Sequence, residues 1–235
     1  MEKKLIYEGK AKRIYAISGR EDAYIQEFKD DATAFNGLKK DQIKEKGEIN
    51  TEISTAIFKY LEKKGIPTHY LDTISSTEML VKQVKIIKVE VVCRNIAAGS
   101  LVKRYAFKEG KEMNPPIVEF YYKSDELGDP LFTDGHIFAL NLATQEELNK
   151  IRVLTLKINN LLKDYFSERK IKLVDFKLEF GKDKDNNILL SDEISPDTCR
   201  LWDSETNRKL DKDRFRFDLG DVEESYKEIR NRIRS

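Results

Sequence analysis

Residues 173–180 read Leu-Val-Asp-Phe-Lys-Leu-Glu-Phe, and from Val174 onward apolar and charged side chains alternate without exception. Successive side chains of an extended strand point to opposite faces. The segment therefore predicts Val174, Phe176, Leu178 and Phe180 on a core face and Asp175, Lys177 and Glu179 on the other. A helix would scatter the same residues around its axis. The chain must build a sheet here, with one buried side and one charged side. Taken alone, an Asp-x-Lys-x-Glu face is most often an ordinary solvated surface whose lysine neutralises its neighbours.

The next strand changes that balance. Residues 187–194 follow across a polar turn at 182–187, and the hairpin brings Glu179 near positions 190–192, a window that contains Asp192. Carboxylates four apart on one strand are separated by ~13 Å, whereas cross-strand neighbours are ~5 Å apart. Mg²⁺ takes oxygens at ~2.0–2.1 Å. Asp175 and Glu179 are thus too far apart to share an ion, while Glu179 and Asp192 are placed to do so. Two carboxylates completed by phosphate oxygens and water are how Mg²⁺ rides on a nucleotide.

A length of 235 residues predicts one compact unit, or two lobes sharing a cleft. Residues 4–8, 12–17 and 23–29 alternate as short strands, a helical period runs over 39–64, and 78–84 and 86–94 read as further strands. Residues 1–99 read as a β-rich lobe with one helix, and the pattern changes over 100–235. There a short helix starts at Ser100, and a long irregular stretch, 114–143, surrounds a strand at 117–122. Thr144-Gln145-Glu146-Glu147 is a capping box opening the longest helix, and a last amphipathic helix fills 221–234.

Composition narrows the partners. The 43 Lys+Arg nearly cancel the 42 Asp+Glu, which argues against nucleic acid as a partner, since that usually demands a net basic field. No segment approaches the ~20 apolar residues of a membrane span, and the first residues lack an apolar run of signal-peptide length, so a soluble, cytoplasmic protein is expected. Cys93 and Cys199 have no CxxC partner, and His69 and His136 have no ligand spacing, so neither a disulfide framework nor a zinc site is expected. Cys93 reads as a core residue, Cys199 as a neighbour of the site, and His136 has no catalytic role.

Two basic segments fit a phosphate-bearing ligand. The turn Gly9-Lys10-Ala11-Lys12-Arg13 sets cations beside a glycine that lets backbone N–H groups approach phosphate oxygens. It lacks the G-K-[ST] of a Walker loop. Residues 81–84 could supply backbone contacts to a base. Arg94 ends a strand shortly before Ser100 opens a helix, a pairing suited to a phosphate.

YEGKAKRIY, TAFNG (33–37), VEVVCRNIAAGS, LVDFKLEFG, DEISPDTCRLWD (192–203) and DKDRFR (211–216), in this order, closely resemble the SAICAR synthetase family. These are the phosphoribosylaminoimidazole-succinocarboxamide synthases of purine biosynthesis. The resemblance implies an ATP-dependent ligase that joins L-aspartate to the carboxylate of carboxyaminoimidazole ribonucleotide (CAIR), releasing ADP and phosphate. It implies Lys10, Lys12 and Lys82 at the nucleotide, Glu179 and Asp192 at Mg²⁺, and Arg94, Ser100 and Arg200 at the ribonucleotide, chiefly its phosphate. Asp175, Lys177 and Asp197 match positions lining the same cleft. Lys177 is expected to bridge the reacting anions, and Asp175 to accept the proton of the attacking amine. The resemblance also implies a homodimer and an α+β fold, with a β-rich lobe over 1–99, an α/β lobe over 100–235 and the site in the cleft between them. The rival readings are a small-molecule kinase using the same Mg-ATP site and a non-catalytic nucleotide- or RNA-binding module.

Overall fold

The computed structural model describes residues 2–34 and 38–234. Phe35, Asn36 and Gly37 of the TAFNG segment lie outside them. Among the described residues the strands are β1 (Lys3–Glu8), β2 (Lys12–Ile17), β3 (Arg20–Phe28), β4 (Asp31–Ala34), β5 (Lys39–Gln42), β6 (Tyr70–Thr73), β7 (Glu78–Lys82), β8 (Lys85–Ile96), β9 (Glu112–Tyr122), β10 (Leu131–Phe132), β11 (Ile171–Lys182), β12 (Ile188–Ser191) and β13 (Cys199–Asp203). The helices are α1 (Lys46–Lys63), α2 (Ser100–Arg104), α3 (Asp134–Ala139), α4 (Gln145–Ser167), α5 (Asp213–Arg216) and α6 (Val222–Arg234).

Two antiparallel sheets carry the site. The first runs β1-β2-β3-β7-β6; the second runs β10-β9-β8-β11, with β12 and β13 sharing the far edge of β11. The crossing between sheets falls at Gln83-Val84, not near Gly99, where the change of pattern suggested the lobe boundary. No glycine or proline marks this crossing. It is held by packing instead: a Cβ on Gly181 would lie 2.6 Å from Val84 Cγ2, so glycine lets the crossover sit directly on β11. Arg94 consequently belongs to the second sheet, on β8 beside β11.

The alternation in β11 holds with one interruption. Phe176, Leu178 and Phe180 are buried in the main core, and Asp175, Lys177 and Glu179 point into a cleft. The β11–β13 register shifts between Leu173 and Asp175. This bulge gives the main-core position to Leu173 and packs Val174 with Ala98 and Trp202 instead. A bulge inserts one extra residue and resets the faces, so Val174 does not share the Phe176 side as the period of two predicts.

α4 covers the core face of β11 and β8. Its capping box forms as expected: Glu147 N donates to Thr144 Oγ1 at 3.2 Å, and Thr144 N donates to Glu147 Oε2 at 2.9 Å. α1 packs against β3, β6, β7 and α6. It is shorter than the predicted 39–64, because 39–42 pairs with β4 and Glu45 takes a left-handed φ of 62° that ends the helical path. β9 starts at Glu112, ahead of the predicted 117. Pro115 and Pro116 fall where the β8–β9 register shifts, a place where a strand tolerates residues without an N–H.

A short main-chain seam ties the two sheets together. Leu190 N donates to Pro67 O at 2.9 Å and His69 N donates to Leu190 O at 2.9 Å, while Lys82 N donates to His69 O at 2.7 Å. The end of β7 and the middle of β12 are thus joined through the residues 67–69.

Candidate active site

Between the sheets lies a cleft of about 820 Å³. Its walls include Lys10, Lys12, Lys82, Arg94, Ser100, Asp175, Lys177, Glu179, Asp192, Asp197 and Arg200, every site residue read from the sequence. The β1–β2 turn, β3 and β7 form one wall; β8, β11 and the segments after β12 form the other.

At the first wall the lysines meet carboxylates of the second. Lys10 Nζ lies 2.6 Å from Asp125 Oδ1 on the loop after β9. Lys12 Nζ contacts both Asp192 and Glu193. Lys123 Nζ is 2.6 Å from Glu179 Oε1, and Lys177 Nζ lies between Glu90 Oε1 at 2.6 Å and Glu179 Oε1 at 3.3 Å. Burial alone would neutralise Glu179, but Lys177, Lys123 and Lys12 outweigh it and hold its pKa at about 2. Burial likewise opposes the charge on Lys177, yet Glu179 and Glu90 raise its pKa above the usual lysine range. Both groups stay charged across all working pH values.

The hairpin register pairs Glu179 with Ser191. Asp192 follows in a left-handed conformation, φ 65°, as the strand ends. Among the described residues no group of three or more His, Cys, Asp or Glu side chains forms a closed metal cage. An ionised, buried Glu179 and a cleft-facing Asp192 are nonetheless the donor type Mg²⁺ takes when phosphate and water complete its shell.

The opposite end of the cleft is built on arginines. Arg94 is buried and bonded to the protein: Nε donates to Glu119 Oε2 at 2.5 Å, Nη1 to Asp175 Oδ2 at 2.9 Å, and Nη2 to Ser100 Oγ at 2.9 Å and Tyr121 OH at 3.1 Å. Arg200 Nη1 donates to both oxygens of Asp175, at 3.1 and 2.9 Å, and Nε to Asp213 Oδ2 at 2.8 Å. Arg200 presses its guanidinium against Gly99, where a Cβ would lie 2.4 Å from Nη2. Gly99 also has φ 55° and ψ −124°, a backbone open to glycine. Ser100 Oγ accepts from Arg94, which leaves its own proton for a ligand.

Two expected roles look different in this geometry. Asp175 accepts from both arginines, twice at Oδ2 and once at Oδ1, an arrangement that positions the two guanidinium groups. Asp197 is held inside the protein by Lys46 Nζ at 2.7 Å, Asn50 Nδ2 at 3.0 Å and Tyr226 OH at 2.8 Å. Burial is overcome there by Lys212 and Lys46, and its carboxyl stays ionised. Asp197 therefore ties α1 to α6 at the edge of the cleft.

Sequence reasoning missed Glu90, Lys123, Glu193 and His69. Glu90 is the β8 register partner of Glu179, a relation invisible until strand order is known. Glu193 adjoins Asp192 and was the one with a local signal. His69 is buried, its ring nitrogen 3.0 Å from Asp192 O. Burial, then Lys12, push its pKa down to about 3. Cys93 is a core residue whose thiol burial pushes up to about 12, and Cys199 is buried at the cleft wall.

The SAICAR synthetase family profile matches residues 5–233. A phosphoribosylaminoimidazole-succinocarboxamide synthase from Caldanaerobacter subterraneus subsp. tengcongensis is 57% identical over 99% of this chain and 99% of its own. The crystal structure of the same-named enzyme from Ehrlichia chaffeensis superposes with a TM-score of 0.96 at 50% identity, covering 98% of each chain. A SAICAR synthetase in complex with ADP gives 0.94 at 52% identity, covering 97% of this chain and 96% of that one.

Proposed function

This chain belongs to the SAICAR synthetase family, and we propose on that premise how its cleft divides the work of an ATP-dependent ligase. The reaction is that of phosphoribosylaminoimidazole-succinocarboxamide synthase in purine biosynthesis: L-aspartate and the carboxylate of CAIR become an amide, and ATP becomes ADP and phosphate. The family match over nearly the whole chain and the ADP complex of a 52% identical relative support it. The small-molecule kinase alternative is not carried forward, because the full-length relatives are synthases.

The observation that carries the assignment of sites is the polarity of the cleft. One end gathers Lys10, Lys12 and Lys82 opposite Glu179 and Asp192; the other gathers Arg94, Ser100 and Arg200. ATP takes the first end, with its phosphates at Lys10 and Lys12 and its base near the crossover at 81–84. Mg²⁺, held by Glu179 and Asp192, would screen the phosphate charge during transfer. The ribonucleotide takes the second end. Its phosphate meets the Ser100 hydroxyl proton and Arg200, while Arg94, bonded to Ser100 and to the Asp175 that holds Arg200, fixes both in place.

Transfer of a phosphoryl group to a carboxylate brings two anions together, so the barrier is largely electrostatic. Lys177 remains protonated between its two glutamates and lies midway along the cleft, where it offsets that repulsion. The aspartate amine then attacks the activated carbonyl carbon; the C–O bond to phosphate breaks as the C–N bond forms, and the departing phosphate takes the proton that the amine gives up. Asp175 acts by orienting Arg94 and Arg200. No helix among the described residues is long and apolar enough to cross a membrane; a cytoplasmic homodimer is the working form proposed from the family, checked by light scattering.

ADP release measured with CAIR, with and without L-aspartate, tests the reading. Aspartate-dependent ADP and amide formation is expected. Aspartate-independent turnover to a stable phosphorylated product would replace the ligase with a kinase.

A further inference from the structure

β12 ends at Ser191, the register partner of Glu179. Had the strand continued, Asp192 would point away from Glu179, since faces alternate along a strand. It faces the cleft because its backbone turns left-handed at φ 65°, a conformation disfavoured for an L-residue. Whatever holds this turn also places the Asp192 carboxylate.

His69 is the side chain at that turn. Its Nε2 is 3.0 Å from the carbonyl oxygen of Asp192, and as a carbonyl only accepts, the ring must carry its proton on Nε2. The ring is buried and lies edge-on to Phe58, with centroids 5.5 Å apart. Its main chain is fixed on both sides, by Leu190 O in one sheet and Lys82 N in the other. The imidazole is therefore anchored to both walls of the cleft before it reaches Asp192.

We propose that His69 is a positioning residue: its Nε2–H holds the Asp192 turn so that the Asp192 carboxylate stands beside Glu179 at the Mg²⁺ of the bound nucleotide. The inference rests on the assignment of Glu179 and Asp192 as the metal carboxylates. It adds a group that touches neither metal nor nucleotide. Partners that orient a metal ligand in this way commonly change metal affinity by ~10–100-fold when removed.

The test uses the full chain and ADP as the probe, titrated with Mg²⁺. His69→Met fills the space without an N–H donor, and His69→Gln restores a donor at a similar reach. His69→Met is expected to need ~10-fold more Mg²⁺ for half-maximal ADP binding, with metal-free ADP binding unchanged and His69→Gln close to the unaltered chain. An unchanged Mg²⁺ requirement in His69→Met, or an equal loss in His69→Gln, overturns the proposal. Nitrogen-15 NMR of the unaltered chain decides independently of any variant that fails to fold. A neutral ring protonated on Nε2 is expected, and one protonated on Nδ1 overturns the proposal. Asp192→Asn separates the two layers: if it keeps the normal Mg²⁺ requirement, the metal assignment falls, and with it this role for His69. If it needs more Mg²⁺ while His69→Met does not, His69 alone is wrong.

Discussion

Asp175 stands directly opposite Arg94 in the β8–β11 register, and Arg94 Nη1 reaches its Oδ2 at 2.9 Å. On its other side Asp175 is the register partner of Arg200 on β13. One carboxylate on the central strand thus sets the spacing of two guanidinium groups on its neighbours. Asp175→Asn keeps the shape and removes the charge between them. It is expected to raise KM for CAIR by ~10-fold or more, since each charge-assisted bond contributes ~1.5–3 kcal/mol, while KM for ATP and turnover at saturation change little. Steady-state kinetics with each substrate varied in turn checks this. A collapse of turnover at saturation, with KM unmoved, would return Asp175 to the role of proton acceptor.

Glu179 on β11 and Asp192 just after β12 both line the cleft. Glu179→Gln removes the buried anion that Lys177 and Lys123 share, and Asp192→Asn removes the partner of Lys12. Either change is expected to abolish Mg-ATP use, with far-ultraviolet circular dichroism unchanged. Calorimetry of ADP binding with and without Mg²⁺ reads the effect directly. Metal-enhanced binding that survives both substitutions would place the ion elsewhere.

Gly99 carries a conformational and a steric demand together. At φ 55° an added Cβ is strained, and it would also lie 2.4 Å from Arg200 Nη2. Gly99→Ala is expected to lower stability by ~1–3 kcal/mol and to push Arg200 away from the ribonucleotide end. KM for CAIR should rise while ADP binding with Mg²⁺ stays normal. Thermal unfolding and substrate-resolved kinetics measure the two effects separately.

The period of two in residues 173–180 located the central strand and told its core face from its charged face, because that pattern is local. The hairpin set Glu179 opposite Ser191, one residue before Asp192, for the same reason. What escaped was set by tertiary pairing. Glu90 enters the site through the order of strands in the sheet. Lys123 enters from a loop that the sequence left irregular. The jobs of Asp175 and Asp197 depend on which donors face them, and those come from β8, β13, α1 and α6. The bulge at Val174 follows from pairing with β13, and no pattern within β11 announces it. The family resemblance supplied the reaction, which spacing could not.

Asp203, at the end of β13, predicts how acid unfolds the protein. Arg232 Nη2 donates to its Oδ2 at 2.6 Å, and Thr206 N and Oγ1 both donate to its Oδ1 at 2.8 Å. The Arg232 bond and then the Thr206 bonds hold its carboxyl well below the usual range. The folded state thus binds a proton less readily than the unfolded state, whose aspartate titrates near ~3.9. Its stabilisation is complete above that value and is lost progressively as pH falls below it. Asp203→Asn should therefore be less stable than the unaltered chain at pH 7, by ~1–2 kcal/mol. The gap should narrow as pH drops through the aspartate range, because the unaltered chain loses what the variant never had. Paired denaturant titrations across that range measure the gap, and one that stayed constant to the lowest pH would show that the carboxylate charge contributes nothing there.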